Sequence, residues 1–391
     1  MGLVIGISGP SASSSTTGDS WVRNSDWLSI PSISPGDEII YGLYAIYEDM
    51  PNELIVSLSG TGHTINWGDD TDQVTVNLVE YTKTYDYSTA SGDISIDKYG
   101  RNYKQVLTSI TLNGTCSTMY LDRSASEIKY NLGWLDIVGD SPTTATLGLS
   151  QRGATELERL WLVDSALTTC GFAFMPNLRV LDVAYGVVPS ISQSFQGVGN
   201  FRDNNGDAVN LNLTSIPTFI NIFNNAQITK IGNLDMNSVT SFVAGFSEVS
   251  ALYEIGYVYI PSVTSLSSGF PNLPSLRNIG LITTGLGLTT IANMFINAYN
   301  VEDVELTECA NVTTTTNAFS QNRNLKRCIL TNLTVGVSII NGKMSAIALN
   351  AFMTALGTAN GAQTLSISGN PGSLTCDTSI GTGKGYTVVT A

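Results

Sequence analysis

Histidine is almost absent from this chain of 391 residues, which contains His63 alone. A Ser-His-Asp triad would have to be built around that side chain, and no Gly-x-Ser-x-Gly nucleophile elbow accompanies it. A Walker loop and a Gly-x-Gly-x-x-Gly turn are also missing. Paired carboxylates could support a glycosidase, but the cluster Glu302, Asp303, Glu305 and Glu308 is expected to be solvated on a strand and its turn. We therefore expect no catalytic residues and no enzyme.

Cysteine is scarce as well, and long apolar runs are missing. The five cysteines are widely spaced and form no Cys-x-x-Cys pair for zinc or redox chemistry: Cys116, Cys170, Cys309, Cys328 and Cys376. This usage predicts folding in a reducing cytosol without a disulfide framework. No run approaches 18 apolar residues, so we expect no membrane insertion. The first six residues lack the basic start of a signal peptide, and none is expected.

Charge is also sparse and uneven along the chain. Asp and Glu outnumber Lys and Arg by 32 to 18, and a net charge of −14 gives no reason to expect nucleic acid as a partner. Residues 1–159 hold 9 basic and 20 acidic residues, a net of −11, whereas residues 160–391 hold 9 and 12, a net of −3. This shift predicts a domain boundary near 110–160, followed by a half rich in Ser, Thr, Asn and Gly.

What the second half does contain is a repeat. Five phenylalanines recur at steps of 23, 24, 25 and 24 residues: Phe223, Phe246, Phe270, Phe295 and Phe319. Ile, Val or Cys follows each of them eight or nine residues later: Ile231, Ile255, Ile279, Val304 and Cys328. A period in the twenties is typical of a solenoid, whose units bury their apolar faces only by stacking. Rings populating an ordinary core are the alternative, but that would leave their common register unexplained.

Each unit ends in a short alternating run, such as Val301, Val304 and Leu306. This alternation predicts one strand per coil in a parallel sheet, with the phenylalanines closing the opposite side. Near the C-terminus, Leu349, Phe352, Met353 and Leu356 share one helix face, which predicts an atypical capping unit. The units Phe270-Pro-Asn-Leu-Pro-Ser-Leu-Arg-Asn-Ile279 and Phe319-Ser-Gln-Asn-Arg-Asn-Leu-Lys-Arg-Cys328 resemble the BspA-type leucine-rich repeat.

The first half carries a different motif. Trp67-Gly-Asp-Asp-Thr71 lies between strand candidates, and Thr84-Tyr85 follows in a further run. These residues resemble a PKD-type β-sandwich, whose signature is a Trp-Gly-Asp-Gly-Thr turn followed by a His-x-Tyr strand. The carboxylates of Asp69, Asp70 and Asp72 could coordinate Ca²⁺, or could hydrogen-bond the backbone of their own turn. We expect the second, and therefore no metal and no cofactor.

The N-terminus is predicted to be an attachment segment. Ser11 to Thr17 is a polar tract, and the large apolar rings of Trp21 and Trp27 follow it without evident local partners. A loose arm with aromatic anchors suits docking on another subunit. The alternative is a disordered tail followed by the first strand of the sandwich.

The predicted architecture is therefore mainly β. It has an arm over 1–40, a PKD-like β-sandwich over 41–115, and a leucine-rich-repeat solenoid with a parallel sheet and a C-terminal cap over 116–391. The combination Asp26-Trp-Leu-Ser-Ile-Pro31, Gly42-Leu-Tyr-Ala-Ile-Tyr47 and Trp67-Gly-Asp69 resembles virion-associated proteins of tailed bacteriophages.

The phage resemblance implies a virion protein that assembles in the host cytoplasm and is exposed on the particle as a fibre, adhesin or capsid decoration. Its partners would be other virion proteins, at the N-terminal segment, and a host glycan or protein, at the repeats. A homo-oligomer is left open. The alternatives are a bacterial cell-surface adhesin and a glycan depolymerase.

Overall fold

Strands dominate the structure, a computed structural model. It describes residues 21–50, 52–97, 100–121, 133–149, 156–167, 169–170, 175–185, 195, 197–202, 207–209, 211–213 and 218–391. The Ser11 to Thr17 tract of the predicted arm lies outside the described residues.

The elements are short and follow one another closely. In chain order, the first are β1 (Ile39–Tyr47), β2 (Glu53–Leu58), β3 (Thr64–Asn66), β4 (Asp72–Val74), β5 (Glu80–Thr84), β6 (Ser95–Ile96), β7 (Asn102–Thr111), β8 (Thr118–Tyr120), β9 (Trp134–Ser141), β10 (Thr146–Gly148), β11 (Arg159–Leu167), β12 (Thr169–Cys170) and β13 (Val180–Tyr185). The later ones are β14 (Leu211–Asn212), β15 (Thr218–Ile220), β16 (Lys230–Ile231), β17 (Leu234–Asp235), β18 (Ser241–Val243), β19 (Glu254–Ile255), β20 (Val258–Ile260), β21 (Asn278–Ile279), β22 (Ile282–Thr284), β23 (Asp303–Leu306), β24 (Arg327–Leu330), β25 (Val337–Ser338), α1 (Ala346–Ala355), β26 (Gln363–Ser366), α2 (Ser379–Gly383) and β27 (Tyr386–Val389).

Two sheets build the first half. One has the order β13-β11-β9-β1-β7-β3-β4, with β6 paired to β7, and the other has the order β12-β10-β8-β2-β5. In the first sheet, β1 pairs antiparallel with β7 and β9, whereas β9, β11 and β13 pair in parallel. In the second, β2 pairs antiparallel with β5 and β8, whereas β8, β10 and β12 pair in parallel. Both sheets therefore change from antiparallel to parallel.

The change marks the start of the solenoid, because a chain that winds in coils always returns to its sheet in the same direction. About nine turns follow from residue 118 onward, so the predictions of a mainly β chain and a repeat solenoid are confirmed. Both sheets cross the predicted boundary between 115 and 116, since β8 pairs with β2 and β9 with β1. One apolar core runs from Ile40 to Tyr386.

Several coils turn a corner at a glycine. Gly256 lies between β19 and β20, and Gly280 lies between β21 and β22. The amide of Gly280 donates to the carbonyl of Gly256 at 3.1 Å, and a Cβ on Gly280 would lie 2.7 Å from that carbonyl carbon. Only glycine fits so close to the neighbouring backbone. In the next two coils the equivalent positions are Glu305 and Ile329. There β23 and β24 continue as single strands without a corner.

The C-terminus is closed by an atypical unit, as the sequence predicts. The Ser345 hydroxyl caps α1 by accepting from the amide of Ala348 at 3.2 Å. Leu349, Phe352 and Met353 on one face of α1 are buried, and β25, β26 and β27 form a parallel sheet beside it. In the described part of the chain, no helix combines the length and the apolar character needed to cross a bilayer.

Candidate functional site

The repeated phenylalanines form one column through the solenoid core. From Phe223 to Phe319, each ring stacks on the ring of the next coil, with centroid distances of 5.1, 5.9, 5.2 and 6.0 Å. Phe195 extends the column at 4.9 Å from Phe223. All these rings are buried. The column predicted from the repeat period is therefore present, and it sets the coil spacing at which surface side chains recur.

Each ring from Phe223 onward lies between two residues with left-handed backbone. For Phe295 these are Asn293 and Asn297, with φ of 55° and 61°. The other pairs are Asn221 and Asn225, Ala244 and Glu248, Ser268 and Asn272, and Asn317 and Gln321. Asparagine tolerates this region better than most residues, because its short side chain bonds locally. The motif Asn-x-Phe-x-Asn at 293–297 indicates both left-handed positions in the sequence. A search for the phenylalanine period alone does not detect it.

One side of the solenoid carries no charged side chain over three coils. We call the outward side chains of 261–276, 285–301 and 309–322 the uncharged face, since these segments contain no Asp, Glu, Lys, Arg or His. Thr264, Thr289 and Thr313 form an exposed row on it. The Thr289 hydroxyl donates to the carbonyl of Thr264 at 2.9 Å, and the Thr313 hydroxyl to that of Thr289 at 3.2 Å. Regularly spaced hydroxyls and amides can both donate and accept hydrogen bonds.

The outer side of the β16-β19-β21-β23-β24 ladder is charged instead. We call its charged side chains the charged face: Lys230, Glu254, Arg277, Glu302, Asp303, Glu305, Lys326 and Arg327. Most of them pair within the chain. Lys230 contacts Glu254 at 2.9 Å, Lys326 contacts Glu302 at 2.7 Å, and Arg327 contacts both Asp303 and Glu305. The hydrogen bond from Lys326 lowers the pKa of Glu302. Charges that already have partners leave this side less suited to an external ligand.

A cleft of about 400 Å³ opens where the phenylalanine column meets the cap. It is lined by Asn317, Phe319, Ser320, Gln321, Arg323, Ser338, Ile340 and Asn341. The next ring after Phe319 would be expected 24 residues on, but Lys343 stands there. The last coil therefore has a stacking partner on one side only. Sequence reasoning missed this cleft, although the missing aromatic was a signal for it.

Two of the three calcium candidates, Asp69 and Asp72, already have partners in or beside their turn. Asp69 accepts from the Thr71 hydroxyl at 2.5 Å and forms an ion pair with Lys83, and Asp72 accepts from the Asn66 amide at 2.7 Å. Asp70 holds the left-handed position, with φ of 62°. Burial acts to raise the pKa of Asp69, but hydrogen bonds from Lys83 and Thr71 lower it overall. Among the described residues, no three His, Cys, Asp or Glu side chains converge as a metal site.

The surrounding turn is packed as a structural element. Trp67 is only 5 % exposed, and its carbonyl accepts from the buried Tyr85 hydroxyl at 2.6 Å. Trp67 therefore belongs to the apolar core. The Gly68 amide donates to the side-chain oxygen of Asn66 at 2.8 Å.

His63 is buried between backbone groups. Its Nε2 donates to the carbonyl of Ser59 at 2.8 Å, and its Nδ1 accepts from the amide of Asn113 at 3.1 Å. Both ring nitrogens are therefore engaged in holding loops, and neither is free to take a proton from a nucleophile. Cys328 is buried too, as its place in the repeat predicts. Burial raises the pKa of the Cys309 thiol to about 12.

Trp21 and Trp27 have partners far away in the sequence, so their rings are not free for docking as the attachment prediction assumes. Trp27 is 6 % exposed and donates from its indole to the Tyr103 hydroxyl at 3.2 Å. Trp21 donates to Glu158 at 3.0 Å. Both rings pack on the outer face of the first sheet. There they shield the apolar side chains of Leu43, Tyr47 and Leu135 from solvent. Sequence reasoning could not pair residues that lie more than 70 positions apart.

A buried charge cluster fastens the same segment. Arg23 Nε donates to Asp136 Oδ2 at 2.8 Å, and Arg159 Nε donates to Asp136 Oδ1 at 2.7 Å. The carboxylate of Asp136 is fully buried, which is tolerated because two guanidinium groups compensate it. An attachment role for the first 40 residues stays a prediction, but it cannot rely on free tryptophan rings.

No protein-family model, curated protein or solved structure matches this chain.

Proposed function

We propose that this chain is a non-enzymatic structural protein of a tailed-bacteriophage virion, exposed on the particle as a fibre, adhesin or capsid decoration. Its solenoid would bind a glycan or protein of the host surface, and its N-terminal end would hold it to other virion proteins. The finer fold relationships proposed with it are a PKD-like arrangement in the first half and BspA-type repeats in the second.

The observation that carries the binding role is the uncharged face. Ligand binding strips water from a surface, and the cost is lower for hydroxyl and amide groups than for charges that must give up their pairing. Its groups recur with the coils, at about 4.8 Å between neighbouring strands. A polymer with repeating units could therefore contact several coils at once, which strengthens binding without any strong single contact.

The N-terminal end offers a different chemistry. Val74, Val76 and Val79 are exposed by 60, 55 and 44 %. They lie in β4, an edge strand of the first sheet, and in the connection to β5, the edge strand of the second. Exposed aliphatic side chains beside sheet edges are typical of surfaces that another subunit covers. This arrangement supports attachment at the end opposite the C-terminal cap.

Binding to host cells tests the proposal directly. Fluorescently labelled full chain should bind intact bacterial cells of the host strain. A Thr289→Lys, Thr313→Lys double variant should lose most of that binding, because two ammonium groups interrupt the uncharged face. The matched control is Asn278→Lys, Glu302→Gln, which raises the net charge by the same two units on the charged face and should bind as the unmodified chain does.

Exposure on the particle needs a second measurement. Antibodies against the C-terminal cap should decorate intact virions in electron micrographs. If mass spectrometry finds the chain in the particles but the antibodies do not decorate them, the chain is not displayed.

In the cell-binding experiment, equal loss of binding in both double variants would argue against the uncharged face as the binding surface. It would indicate a nonspecific effect of the added charge.

A further inference from the structure

We propose that the cleft between the last coil and the cap binds an acidic saccharide, with Arg323 recognising its carboxylate. This inference deepens the proposed function and rests on it, since it names the class of host ligand. The cleft is defined by Asn317 to Arg323 on the last phenylalanine coil and by Ser338 to Asn341 on the first segment of the cap. It lies at the C-terminal end of the uncharged face.

The polar groups in the cleft are left without partners by the fold. Asn317, Ser320, Ser338 and Asn341 make no side-chain hydrogen bond to any described residue. Amides at other positions of the coils do pair with each other, as Asn297 with Asn272 at 2.9 Å and Asn324 with Asn300 at 2.7 Å. The cleft thus presents donors and acceptors that the chain itself does not use. Sugar hydroxyls need this mixture, since each of them both donates and accepts.

These groups are also held in place. Asn317, Gln321 and Asn341 all have left-handed backbone, with φ of 54°, 70° and 59°. The amide of Asn341 donates to the carbonyl of Ser368 at 2.9 Å, which ties this side of the cleft to the cap. A site whose polar groups are positioned in advance loses less entropy when a ligand binds.

Among the described residues that line the cleft, Arg323 alone is charged. Its guanidinium donates to Gln321 Oε1 at 2.8 Å and makes no ion pair with a described residue. This differs from nearby Arg327, which contacts two carboxylates. Among the described residues lining the cleft there is no Asp or Glu, although the whole chain carries −14. A planar guanidinium with free N–H groups suits a carboxylate, which it can bind with two parallel hydrogen bonds.

The apolar part of the lining completes the match. Ile340 is 41 % exposed, and Phe319 lies beside it at the end of its column. An exposed aliphatic side chain can pack on the C–H face of a sugar ring, and about 400 Å³ is at the lower end of typical ligand pockets. A phosphate group would instead favour several cations or a cluster of backbone amides. One guanidinium among neutral amides and hydroxyls therefore favours a sugar acid.

Binding of defined sugars to the full chain tests this assignment. The probes are D-glucuronate and a glucuronate-containing tetrasaccharide, with D-glucose and a neutral glucose tetrasaccharide as matched controls, measured by saturation-transfer NMR and calorimetry. The acidic sugars should bind at least tenfold more tightly than the neutral ones. Binding of neither acidic probe at millimolar concentration would overturn the assignment, as would equal binding of neutral and acidic sugars.

Two substitutions locate the site. Arg323→Gln should weaken acidic-sugar binding at least tenfold, and Arg323→Lys should weaken it less, because it keeps the charge but not the planar fork. Arg277→Gln is the matched control on the charged face and should leave sugar binding unchanged. Both positions are exposed, so an unchanged melting temperature is expected for all three variants and checks the fold. Glucuronate binding unchanged in Arg323→Gln would overturn the assignment.

The cell-binding measurement separates this inference from the proposed function. If neither acidic sugar binds but cells are bound through Thr289 and Thr313, the sugar assignment is wrong and the binding role of the solenoid stands. If neither sugars nor cells are bound, both are wrong.

Discussion

Asparagine takes most of the left-handed positions beside the stacked phenylalanines, and this choice follows from backbone sterics. A left-handed residue with a Cβ is destabilised by about 1–2 kcal/mol, and asparagine offsets part of this with local hydrogen bonds. At the position two residues before the ring, Asn221, Asn293 and Asn317 follow this rule. Ala244 and Ser268 do not, with φ of 50° and 54°. These two positions are therefore suboptimal for stability.

Replacing Ala244 by asparagine should stabilise the protein. The side chain that three other coils use would relieve part of the strain, and we expect a gain of about 1 kcal/mol in the free energy of unfolding. Urea unfolding measures it. The control is Ala292→Asn, because Ala292 is a half-buried alanine, two coils further on, without left-handed backbone. An equal gain in both variants would show that the backbone conformation is not the cause.

Cysteine reactivity should follow burial. Cys116, Cys309 and Cys328 are buried, and burial raises the pKa of each thiol, to about 12 for Cys309. At pH 8, which is below these values, the thiols stay protonated and unreactive. Among the four cysteines whose side chains the structure describes, the partly exposed Cys376 should react first with iodoacetamide, as mass spectrometry of the peptides would show. In urea these four should react at similar rates. Fast native labelling of Cys309 would contradict this account.

At the scale of elements, stacking of equivalent side chains explains how such short strands persist. Strands of two to four residues, such as β16 and β24, are too short to be stable alone. Each is held because its inward residue packs on the equivalent residue of the next coil. On the opposite side, the stacked phenylalanines hold the coils together in the same way. Each pair of neighbouring rings adds about 0.5–1.5 kcal/mol of stability to that from burying the rings.

Phe270→Ala should therefore be strongly destabilising. The ring is fully buried and stacks on Phe246 and Phe295 at 5.9 and 5.2 Å. We expect a loss of about 3–5 kcal/mol in the free energy of unfolding, as for other buried aromatic residues. Phe319→Ala is the comparison, because Phe319 stacks on one ring only. Chemical denaturation should show the smaller loss for Phe319→Ala, and the reverse order would contradict the column as the source.

The packing of neighbouring elements can be predicted from the sequence where a pattern of apolar residues repeats. The period of the phenylalanines indicates the column, and Leu349, Phe352 and Met353 indicate the capping helix, because both patterns lie within a few residues or a fixed step. The glycine corner at Gly256 and Gly280 is harder to predict, since its cause is close approach to the backbone of another coil. The cleft at Arg323 forms where the repeat lacks a ring, at Lys343, and a search for repeated apolar positions does not detect a missing one.

At the scale of the whole molecule, the two halves share their sheets. β1 lies between β7 on one side and β9 on the other, so it is a central strand. Nothing near β1 in the sequence indicates that its second neighbour belongs to the coils. A fragment of residues 41–115 would lose β8 and β9 and leave the edges of β1 and β2 bare.

We therefore expect the chain to unfold in one cooperative transition. Calorimetry of the full chain should give a single peak, and a Phe270→Ala variant should shift all of it. A second peak that Phe270→Ala leaves in place would show that the first half is stable by itself, and would support the boundary predicted between 115 and 116.

The attachment prediction needs a truncation that respects the packing of the N-terminal segment. Removing residues 2–31 would take away Trp27, which covers Leu43 and Leu135, and Arg23, one of the two partners of the buried Asp136. Loss of a buried aromatic residue alone costs about 3–5 kcal/mol. That variant should therefore be destabilised whatever the segment binds, and its failure to join particles would not test attachment.

Removing residues 2–20 is the informative variant, because Trp21, Arg23 and Trp27 stay in place. We expect its melting temperature to match that of the full chain, which would show that the described fold is intact. If the first residues hold the chain to the virion, this variant should be absent from particles assembled in cells that produce it, whereas the full chain is present. A Trp27→Ala variant serves as the comparison, since it should lose stability but keep the arm. Incorporation of the truncated chain at the level of the full chain would place attachment elsewhere, with the exposed Val74, Val76 and Val79 as the next surface to substitute.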